Sequence, residues 1–493
     1  MIKEYKLNDE PISIESDLAG EYPLYIYLSR KKDCLLYSKS SKLLLESVKV
    51  IKPLTVSKKG ISFLLQSAVV PPPQTVYENI FIVGIGQTAR IGTVNSKIDI
   101  EFSEIHPFLN ANRELDAEVD EEYILEILAE ATVSRMEKNR ENYLFHSAGK
   151  DSNSIALALS VAGYQNEITS VSYKGEGEKD ESEIAKKIAK QFGFKHKIVY
   201  EPKVLAKKDI ENINSFFENS SFPCMDNATL AYPLYMNQLD FSNSNIIDGM
   251  GNDVYIGHIP DSKEYAKQKN FSRFHHLRPF SGKFSSASRI GIATTTRTEW
   301  VGLSGLSYGD VNKILNDSFD VYDYWSEVDR ENKNMDYLDL RSYIRGRVLD
   351  QEVFIRKVRN FADVTSSNLI LPWTNPKVAA YFSKLPEKYL FNRKHLKNKL
   401  LLRTMLKDRI GLDSDKLGKK AYGFNAYGIL MMMKKEVDQE ILSCKLWNEK
   451  EVEELLSTLY KKIDVNHQSI SRLKSIIQRL YLISVWYNQS KYV

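Results

Sequence analysis

Cysteines and long apolar runs are scarce in this 493-residue chain. The three cysteines, Cys34, Cys224 and Cys444, lie far apart and form no CxxC pair. Their spacing excludes a zinc site or disulfide framework evident from sequence, and it favours a reducing compartment. No apolar run approaches the roughly 18 residues of a membrane span, and the first residues, MIKEYKLNDEP, are too polar for a signal peptide. We therefore expect a cytoplasmic protein with no membrane partner.

An excess of charge of one sign is absent as well. Lysines and arginines number 68 against 64 aspartates and glutamates, which leaves a net charge of +4. Proteins that bind nucleic acid concentrate positive charge on one face or in an appended basic domain, and neither is indicated here. We therefore expect no nucleic-acid partner, and the ordinary hydrophobic fraction of 43% predicts a globular protein with a large core.

The order of strand-like and helix-like patterns predicts two domains, residues 1–112 and 113–493. The first is β-rich, with short runs such as YPLYIYLS and TARIGTV. From Tyr143 onward strands alternate with helices, and from about residue 330 long amphipathic runs predict further helices. The predicted fold class is α/β, a doubly wound parallel sheet with a helical C-terminal elaboration, preceded by the small β-rich domain. The polar, poorly periodic stretch 268–288 predicts a loop or lid.

The stretch YLFHSAGKDSNSIALALS (143–160) joins a strand-like run to a helical one through small, hydroxyl and charged residues. A turn of this kind presents backbone N–H groups at the positive end of a helix, which favours an anion. It is not a Walker A loop, because Asp151 follows Lys150 where Ser or Thr is needed. Ser-x-Gly-x-Asp-Ser, from Ser147 to Ser152, is typical of loops that hold the β- and γ-phosphates of ATP while pyrophosphate leaves, with Asp151 carrying Mg²⁺. The alternative is an ordinary helix cap.

A second stretch, NIIDGMGNDVYIGH, places Gly249, Gly251 and Asp253 directly after a strand. Glycines allow the backbone to approach a ligand closely. The carboxyl ends of neighbouring parallel strands meet at one edge of the sheet, so we expect Asp253 to lie near the first loop. Asp151 and Asp253 together are the predicted ligands of Mg²⁺ on the triphosphate. Taken alone, the second motif is more often an ordinary turn.

These motifs resemble the synthetase domain of asparagine synthetases and their relatives, the β-lactam and carbapenam synthetases and the lasso-peptide cyclases. SAGKDS is similar to the family's SGGxDS with Ala148 in place of one glycine, and GMGND is similar to GxGSD. LPWTNP resembles the family's Pro-Phe-Leu-Asp segment, and KNKLLLRTML, with Lys399 and Arg403, resembles its K-x-x-L-R helix. The similarity runs from about 120 to 435. With the loop, it implies an ATP-binding set of His146, Ser147, Ala148, Gly149, Lys150, Asp151, Ser152, Tyr173, Asp248, Gly249 and Gly251.

The N-terminal part resembles only the end of the family's glutamine-hydrolysing domain. A glutaminase of this class uses an N-terminal cysteine, whereas residue 2 is Ile2 and the nearest cysteine is Cys34. An isoleucine cannot act as a nucleophile, and about 110 residues are too few for the whole glutaminase sandwich. The resemblance therefore predicts a truncated, non-catalytic scaffold domain.

A late loop, LGKKAYGFNAYG, resembles the lysine-containing loop that closes over the phosphates in the family. We predict Lys420 as the catalytic lysine, with Lys419 as the alternative, because a cation there would stabilise charge that develops during reaction. Met250 replaces a tyrosine found in β-lactam synthetases, and Asn368 replaces a glutamate found in asparagine synthetases. The general base therefore stays open.

Two further candidates for the general base are Glu352 and His258, although a surface role is the more common interpretation of each. The predicted function is an ATP-dependent ligase that adenylates a carboxylate, releases pyrophosphate and AMP, and joins the acyl group to an amine without glutamine hydrolysis. Its setting would be natural-product, modified-peptide or cell-surface saccharide biosynthesis. The expected partners are a small-molecule or peptide substrate, and a second copy or another biosynthetic protein. The main alternative is a nucleotide-binding pseudoenzyme or regulatory relative.

Overall fold

The computed structural model describes residues 1–51, 54–105, 113–175, 181–277, 289–301, 305–417, 423–465 and 470–493. The strands, numbered β1 to β14 in chain order, are Ile2–Lys6, Ile12–Glu15, Leu24–Leu28, Cys34–Ser38, Ile80–Val83, Gln87–Val94, Lys97–Glu104, Asn142–Phe145, Ile168–Lys174, Lys195–Tyr200, Asn245–Ile247, Asn368–Ile370, Phe391–Asn392 and Lys397–Asn398.

The N-terminal region forms two antiparallel sheets. One has the strand order β1-β4-β3-β5 and the other the order β2-β6-β7. Strands β6 and β7 form a hairpin through Asn95 and Ser96, both with positive φ, which is the turn whose twist matches that of the strands. Apolar side chains such as Ile26, Leu35 and Ile91 are buried between the sheets. The predicted boundary at 112–113 adjoins residues 106–112, which lie outside the described residues.

A five-stranded sheet has the parallel pairing that the sequence predicts. Strands β10-β9-β8-β11-β12 pair in parallel throughout, with helices on the connections. From β8 the chain proceeds outward to β9 and β10, and it then returns to the other side of β8 as β11 and β12. The switch in direction lies between β8 and β11, so the predicted doubly wound α/β class is confirmed. Ligands of such sheets bind outside the carboxyl ends of the strands at this switch.

Helices make up most of the remaining chain. The α-helices are Ser41–Ile51, Lys58–Ser67, Glu121–Val133, Lys150–Val161, Glu181–Phe192, Lys207–Asn219, Ala231–Tyr235, Asp253–Ile256, Ser262–Phe271, Arg289–Thr294, Arg297–Val301, Tyr308–Ile314, Tyr322–Glu331, Tyr337–Ile344, Arg356–Thr365, Pro376–Lys384, Glu387–Leu390, Leu400–Ile410, Ser414–Leu417, Ala426–Met432, Lys434–Leu442, Glu449–Asp464 and Ile470–Gln489. Short 3₁₀ turns are Gln165–Glu167, Asn227–Leu230, Ser272–Leu277 and Pro372–Thr374. Across the described ranges, no helix combines the length and apolar character needed to cross a membrane.

Part of the predicted loop at 268–288 is helical instead. Ser262–Phe271 is an α-helix and Ser272–Leu277 continues it as a 3₁₀ turn, whereas 278–288 lie outside the described residues. The loop prediction is wrong for 268–277. Lysine, glutamate and glutamine are good helix formers even without an apolar stripe, so a polar pattern does not exclude a helix.

Residues 337–365 form one continuous helix, called the long helix below. It starts as the α-helix Tyr337–Ile344, widens to a π-helix at Arg345–Ile355 and ends as the α-helix Arg356–Thr365. The N-terminal region contacts this helix directly, since Arg356 donates to the Tyr25 hydroxyl at 2.8 Å. The two N-terminal sheets therefore pack against the helix that carries the π-helical segment.

Candidate active site at the switch point

The first loop of the site lies between β8 and the helix Lys150–Val161. This helix begins after Gly149 with no capping hydrogen bond from a side chain in the described part of the chain. Instead Asn153 donates to the carbonyl oxygens of Ser147 at 2.9 Å and Gly149 at 2.6 Å. The turn thus lacks the ordinary Ser/Asp cap considered above, and the binding of an anion there stays a prediction.

The residues around this loop have different surroundings. His146 is buried, with Nδ1 2.9 Å from the Ser170 hydroxyl and Nε2 2.8 Å from Asn153 Oδ1. Both ring nitrogens thus hold the strand end and the loop together. The hydroxyls of Ser147 and Ser152 lie 3.4 Å apart inside the turn. In this structure His146 shapes the loop, and a contact between it and nucleotide stays a prediction.

The second motif packs directly on the first. A Cβ placed on Gly249 would lie 3.0 Å from the backbone nitrogen of Ser152, which leaves no room for a side chain. Gly251 has φ +106°, a conformation that favours glycine, and a side chain there would collide with Thr374. Both glycines are therefore needed for the close approach of β11 and its turn to the loop after β8.

Lys399 joins the two motifs. Its ammonium nitrogen lies 2.7 Å from Asp151 Oδ2 and 3.0 Å from Asp253 Oδ1. The same nitrogen donates to Asn252 Oδ1 at 2.9 Å, and Asn252 Nδ2 donates to Asp151 Oδ1 at 2.7 Å. Burial alone would lower the pKa of Lys399, but the two carboxylates raise it above its ordinary value. The structure thus brings Asp151 and Asp253 together around a buried cation.

Lys399 reaches this position from the turn that follows β14. Its φ is +56°, an uncommon conformation for a residue with a side chain, and it precedes the helix Leu400–Ile410. Strain of this kind concentrates at functional sites, where the surroundings hold it in place. Lys399 therefore extends between the two carboxylates from a backbone conformation that is unfavourable for a residue with a side chain.

Asp248, at the carboxyl end of β11, is buried beside the first loop. Burial raises its pKa to about 6, while Lys357 and a hydrogen bond from the Met250 backbone oppose the rise. Tyr173, at the end of β9, donates its hydroxyl to Glu201. Both residues lie at the same edge of the sheet as the loop, where the predicted ATP-binding set requires them.

The ring of Tyr173 lies 6.0 Å from that of Phe424, which follows the late loop. Lys419 and Lys420 themselves lie outside the described residues, so the prediction for the catalytic lysine stays a prediction. The segment that leads out of the late loop therefore ends beside the predicted nucleotide site.

The donor set fits a magnesium ion. Asp151, Asp253 and Asn252 supply oxygens at one place, and Mg²⁺ is usually bound by one or two carboxylates together with phosphate oxygens and water. No group of three histidine, cysteine, aspartate or glutamate side chains suited to a metal occurs in the parts of the chain that the structure describes. Asp151 and Asp253 would therefore hold a metal together with the phosphates, rather than in an all-protein cage.

The open candidates for a general base are not exposed surface groups. Glu352 pairs with Arg356 at 2.7 Å, and its side chain is 13% exposed. His258 accepts from Arg341 through Nδ1 at 3.3 Å. Burial, with Arg345 and Arg341, lowers the pKa of His258 well below its usual range. Both side chains thus have structural partners.

Asn368 has partners too. Its side-chain amide donates to the Arg135 carbonyl at 2.7 Å and to Asn245 Oδ1 at 2.8 Å. The residue thereby ties the start of β12 to its neighbours. Its amide is therefore bonded both to the chain that follows the helix Glu121–Val133 and to the start of β11.

Two functional candidates, Asn153 and Asp350, escaped the sequence interpretation, and the role of a third was not seen. The resemblance named Lys399 without its ion pairs, because only the folded chain brings it to the two motifs. Asn153 follows the motif and looks like any polar helix residue. Asp350, in the π-helical segment, is buried next to this cluster, and no sequence motif marks it.

The fold and the site define a parallel α/β protein with a turn of small and hydroxyl residues and two carboxylates at the switch point of its sheet. A model of the asparagine synthase family matches residues 123–476. The chain belongs to that family, whose members are ATP-using amidating ligases. A search of curated proteins gave no match.

Proposed function

We propose that this protein is a ligase that adenylates a carboxylate with ATP, releases pyrophosphate, and transfers the acyl group from AMP to an amine. The observation that carries the proposal is the convergence of Asp151 and Asp253, from two separate motifs, on Lys399 at the switch point. Two carboxylates and a lysine beside an anion-binding turn are suited to a triphosphate and its metal.

A carboxylate is a poor acyl donor until one of its oxygens becomes part of a good leaving group. Bound Mg²⁺ would neutralise charge on the phosphate oxygens. The loop Ser147–Ser152 would orient the phosphates through its backbone, and Lys399 would turn from the carboxylates to phosphate. Lys420, in the late loop, would stabilise charge at the reacting centre. Positioning and electrostatics therefore supply most of the catalysis.

The amine would not come from glutamine. The one cysteine of the N-terminal region, Cys34, has a poorly activated thiol. Burial, together with a hydrogen bond to Glu4 at 3.5 Å, raises the pKa of Cys34 above its ordinary value. A nucleophilic cysteine needs the opposite shift, because the thiolate is the reactive form. The N-terminal region then serves as a scaffold in the cytoplasmic enzyme we propose.

The proposed substrates are a small amino acid, a precursor peptide closed to a macrolactam, or a uronic-acid-type saccharide, because the fold does not choose among them. The second candidate function is a nucleotide-binding pseudoenzyme. Met250 and Asn368 favour it, because neither side chain can transfer a proton where relatives carry a tyrosine or a glutamate. Self-association or docking onto another biosynthetic protein belongs to either proposal.

Pyrophosphate exchange tests the first step. With amino acids, short peptides and uronic acids offered in turn, the protein should exchange labelled pyrophosphate into ATP in the presence of Mg²⁺. Asp151→Asn and Asp253→Asn should each abolish this exchange while the circular dichroism spectrum is kept. Asp408→Asn, an exposed acid on the helix Leu400–Ile410, is the matched control and should exchange normally. Tight ATP binding without exchange for any carboxylate would favour the pseudoenzyme.

Two variants test which lysine of the late loop is catalytic. Lys420→Ala should reduce amide formation by about 2.7–4 kcal/mol of barrier, with a much smaller loss of ATP binding, whereas Lys419→Ala should do little. Equal losses in both variants would contradict the assignment to Lys420.

The purified protein should release no glutamate from glutamine, and thiol-sensitive release would instead indicate a glutaminase at Cys34.

A further inference from the structure

The π-helical segment Arg345–Ile355 lies against the site. A Cβ placed on Gly346 would be 2.9 Å from the Cα of Val254, so the segment packs backbone to backbone on the short helix that begins with Asp253. Segments of π-helix inside longer α-helices occur frequently at functional sites. The close packing at Gly346 brings the next turn of the segment, which carries Asp350, towards the two predicted metal ligands.

Asp350 is a buried carboxylate without a hydrogen-bond partner. Its exposed fraction is 3%, and neither Oδ1 nor Oδ2 receives a hydrogen bond from any residue that the structure describes. Asp248, buried nearby, differs because the Met250 backbone donates to it at 3.0 Å. Leaving a buried acid unsatisfied costs stability, and native proteins seldom keep such groups without a use.

The charges around Asp350 do not balance. The groups that act on it are Asp253 and Asp151, both acidic, and Arg345 and Lys399, both basic. Lys399 is already engaged by the other two carboxylates. Burial, followed by the negative charge of Asp253, raises the pKa of Asp350 well above its usual range, so the nearby basic groups do not offset the burial of this acid.

Arg345 does not supply the missing partner of Asp350. Its side chain is buried and its Nε also lacks a hydrogen-bond partner among the described residues. No ion pair within 4.0 Å joins Arg345 to Asp350 in the described part of the chain. The long helix therefore presents an unsatisfied acid and an unsatisfied guanidinium nitrogen five positions apart, both near the carboxylates predicted to bind metal.

A group that donates hydrogen bonds suits this acid better than a metal does. Among the described residues no three acidic, histidine or cysteine side chains are arranged to hold a metal together, so we do not assign Asp350 to the predicted metal site. A primary amine or ammonium group supplies several N–H donors and, when charged, the missing positive charge. An amide-forming enzyme must hold such a group next to the activated carboxylate.

We propose that Asp350 binds the amine substrate through its nitrogen. This inference rests on the proposed function, since only an amide-forming ligase needs an amine at this point. The substrate class is a primary amine, recognised by the carboxylate and positioned by the π-helical segment beside the nucleotide site. Glu352 and His258, the two side chains considered above as the general base, already have partners in Arg356 and Arg341.

Thermal unfolding with a simple amine tests the binding directly. Ethylammonium chloride, titrated to saturation, should raise the unfolding midpoint of the wild-type protein by about 1–4 °C over matched sodium chloride. Tetramethylammonium chloride has no N–H donor and should give no shift. Asp350→Asn should lose the ethylammonium shift, and Asp408→Asn should keep it. A wild-type midpoint that ethylammonium does not move would overturn the proposal, whether or not any variant folds.

Stability and turnover separate a binding role from a structural one. Asp350→Asn should be at least as stable as wild type in urea, because it replaces a buried acid that has no hydrogen-bond partner with a neutral side chain of similar shape. A strongly destabilised variant would indicate a structural acid. With ethylamine as acceptor, amide formation should fall at least about tenfold more than pyrophosphate exchange, with a raised KM for the amine. Equal losses in both reactions would contradict amine binding. A wild type without exchange would refute the proposed function, and the ethylammonium shift would then decide this inference alone.

Discussion

A single residue, Asp248, makes stability depend on pH in a predictable direction. Its pKa rises to about 6 on folding, mainly because the carboxyl is buried. The folded chain therefore holds this proton more tightly than the unfolded chain, and stability falls as pH rises from the unfolded value, about 4, to about 6. Above pH 6 the ionised group costs stability at a constant level.

Asp248→Asn should thus be more stable than the wild type at pH 7, because the amide keeps the acceptor for the Met250 backbone without the buried charge. The advantage should shrink as the pH is lowered from 6 to 4. Urea unfolding at pH 7, 6, 5 and 4 measures it, with Asp408→Asn as the variant that should show no such trend. A variant less stable than wild type at pH 7 would mean that attraction by Lys357 outweighs burial.

The sequence predicted the meeting of Asp151 and Asp253, because both follow strands and the carboxyl ends of neighbouring parallel strands share an edge. It could not place Lys399 between them, since that lysine is 248 positions from Asp151 in the chain and its position depends on the backbone at the end of β14. Asp350 gave no signal at all, because burial without a partner is a property of the packed molecule.

At the scale of the element, the π-helical segment packs on the short helix that begins with Asp253. Gly346 allows it to lie on the backbone of Val254, where a Cβ would be 2.9 Å from the Cα. Gly346→Ala should therefore push the segment outward, lower the free energy of unfolding by about 1–3 kcal/mol, and reduce amide formation.

Gly309 provides the matched control for this variant. It lies in the helix Tyr308–Ile314, and a Cβ there would meet only the Ser307 hydroxyl oxygen at 3.8 Å. Gly309→Ala should leave activity unchanged and stabilise by about 0.4–1 kcal/mol through the lower entropy of the unfolded chain. Chemical denaturation and turnover of the two variants give the comparison. Equal behaviour of the two would show that the packing at Val254 is adaptable.

Elements with strong periodicity were predicted well, including the alternating strands and helices after Tyr143 and the helix Ile470–Gln489. The π-helical segment Arg345–Ile355 was not predicted. The apolar side chains of the long helix recur at intervals close to 3.6 residues, so the pattern fits an α-helix equally well. Short edge strands such as Ile2–Lys6 and Ile12–Glu15 were missed for a related reason: four or five residues carry too little pattern.

At the scale of the whole molecule, the N-terminal sheets contact the long helix along several of its turns, through Ile85 to Gln351, Glu104 to Arg347 and Tyr25 to Arg356. Arg356 is the central contact, since it bonds both Tyr25 and Glu352 and its side chain is 2% exposed. Arg356→Met leaves Glu352 buried without its partner and should cost about 3–5 kcal/mol. Adding Glu352→Gln removes the unpaired buried charge and should recover much of the lost stability.

Urea unfolding of both single variants and the double variant measures the coupling between the two side chains. An exposed pair offers the control: Arg330 with Glu327, whose side chains are 72% and 49% exposed. Arg330→Met should change the free energy of unfolding by less than about 1 kcal/mol. Additive losses for Arg356 and Glu352 would mean that the two side chains are not coupled.

The position of Lys399 has a consequence for the order in which substrates arrive. Free Mg²⁺ must compete with a tethered ammonium group already held by Asp151 and Asp253, and a tethered competitor has a high effective concentration. A triphosphate offers the lysine another anion and releases the two carboxylates. Metal and nucleotide should therefore bind with positive coupling, each raising the affinity of the other by the same factor.

Calorimetry should show Mg²⁺ binding about tenfold or more tighter with a non-hydrolysable ATP analogue than without it, within the usual range of such couplings. Lys399→Met should narrow that ratio by improving metal binding in the absence of nucleotide. An unchanged ratio would show that the lysine does not compete. If it does, the protein selects the metal–nucleotide complex over either component, and free magnesium in the cell does not load the site before ATP arrives.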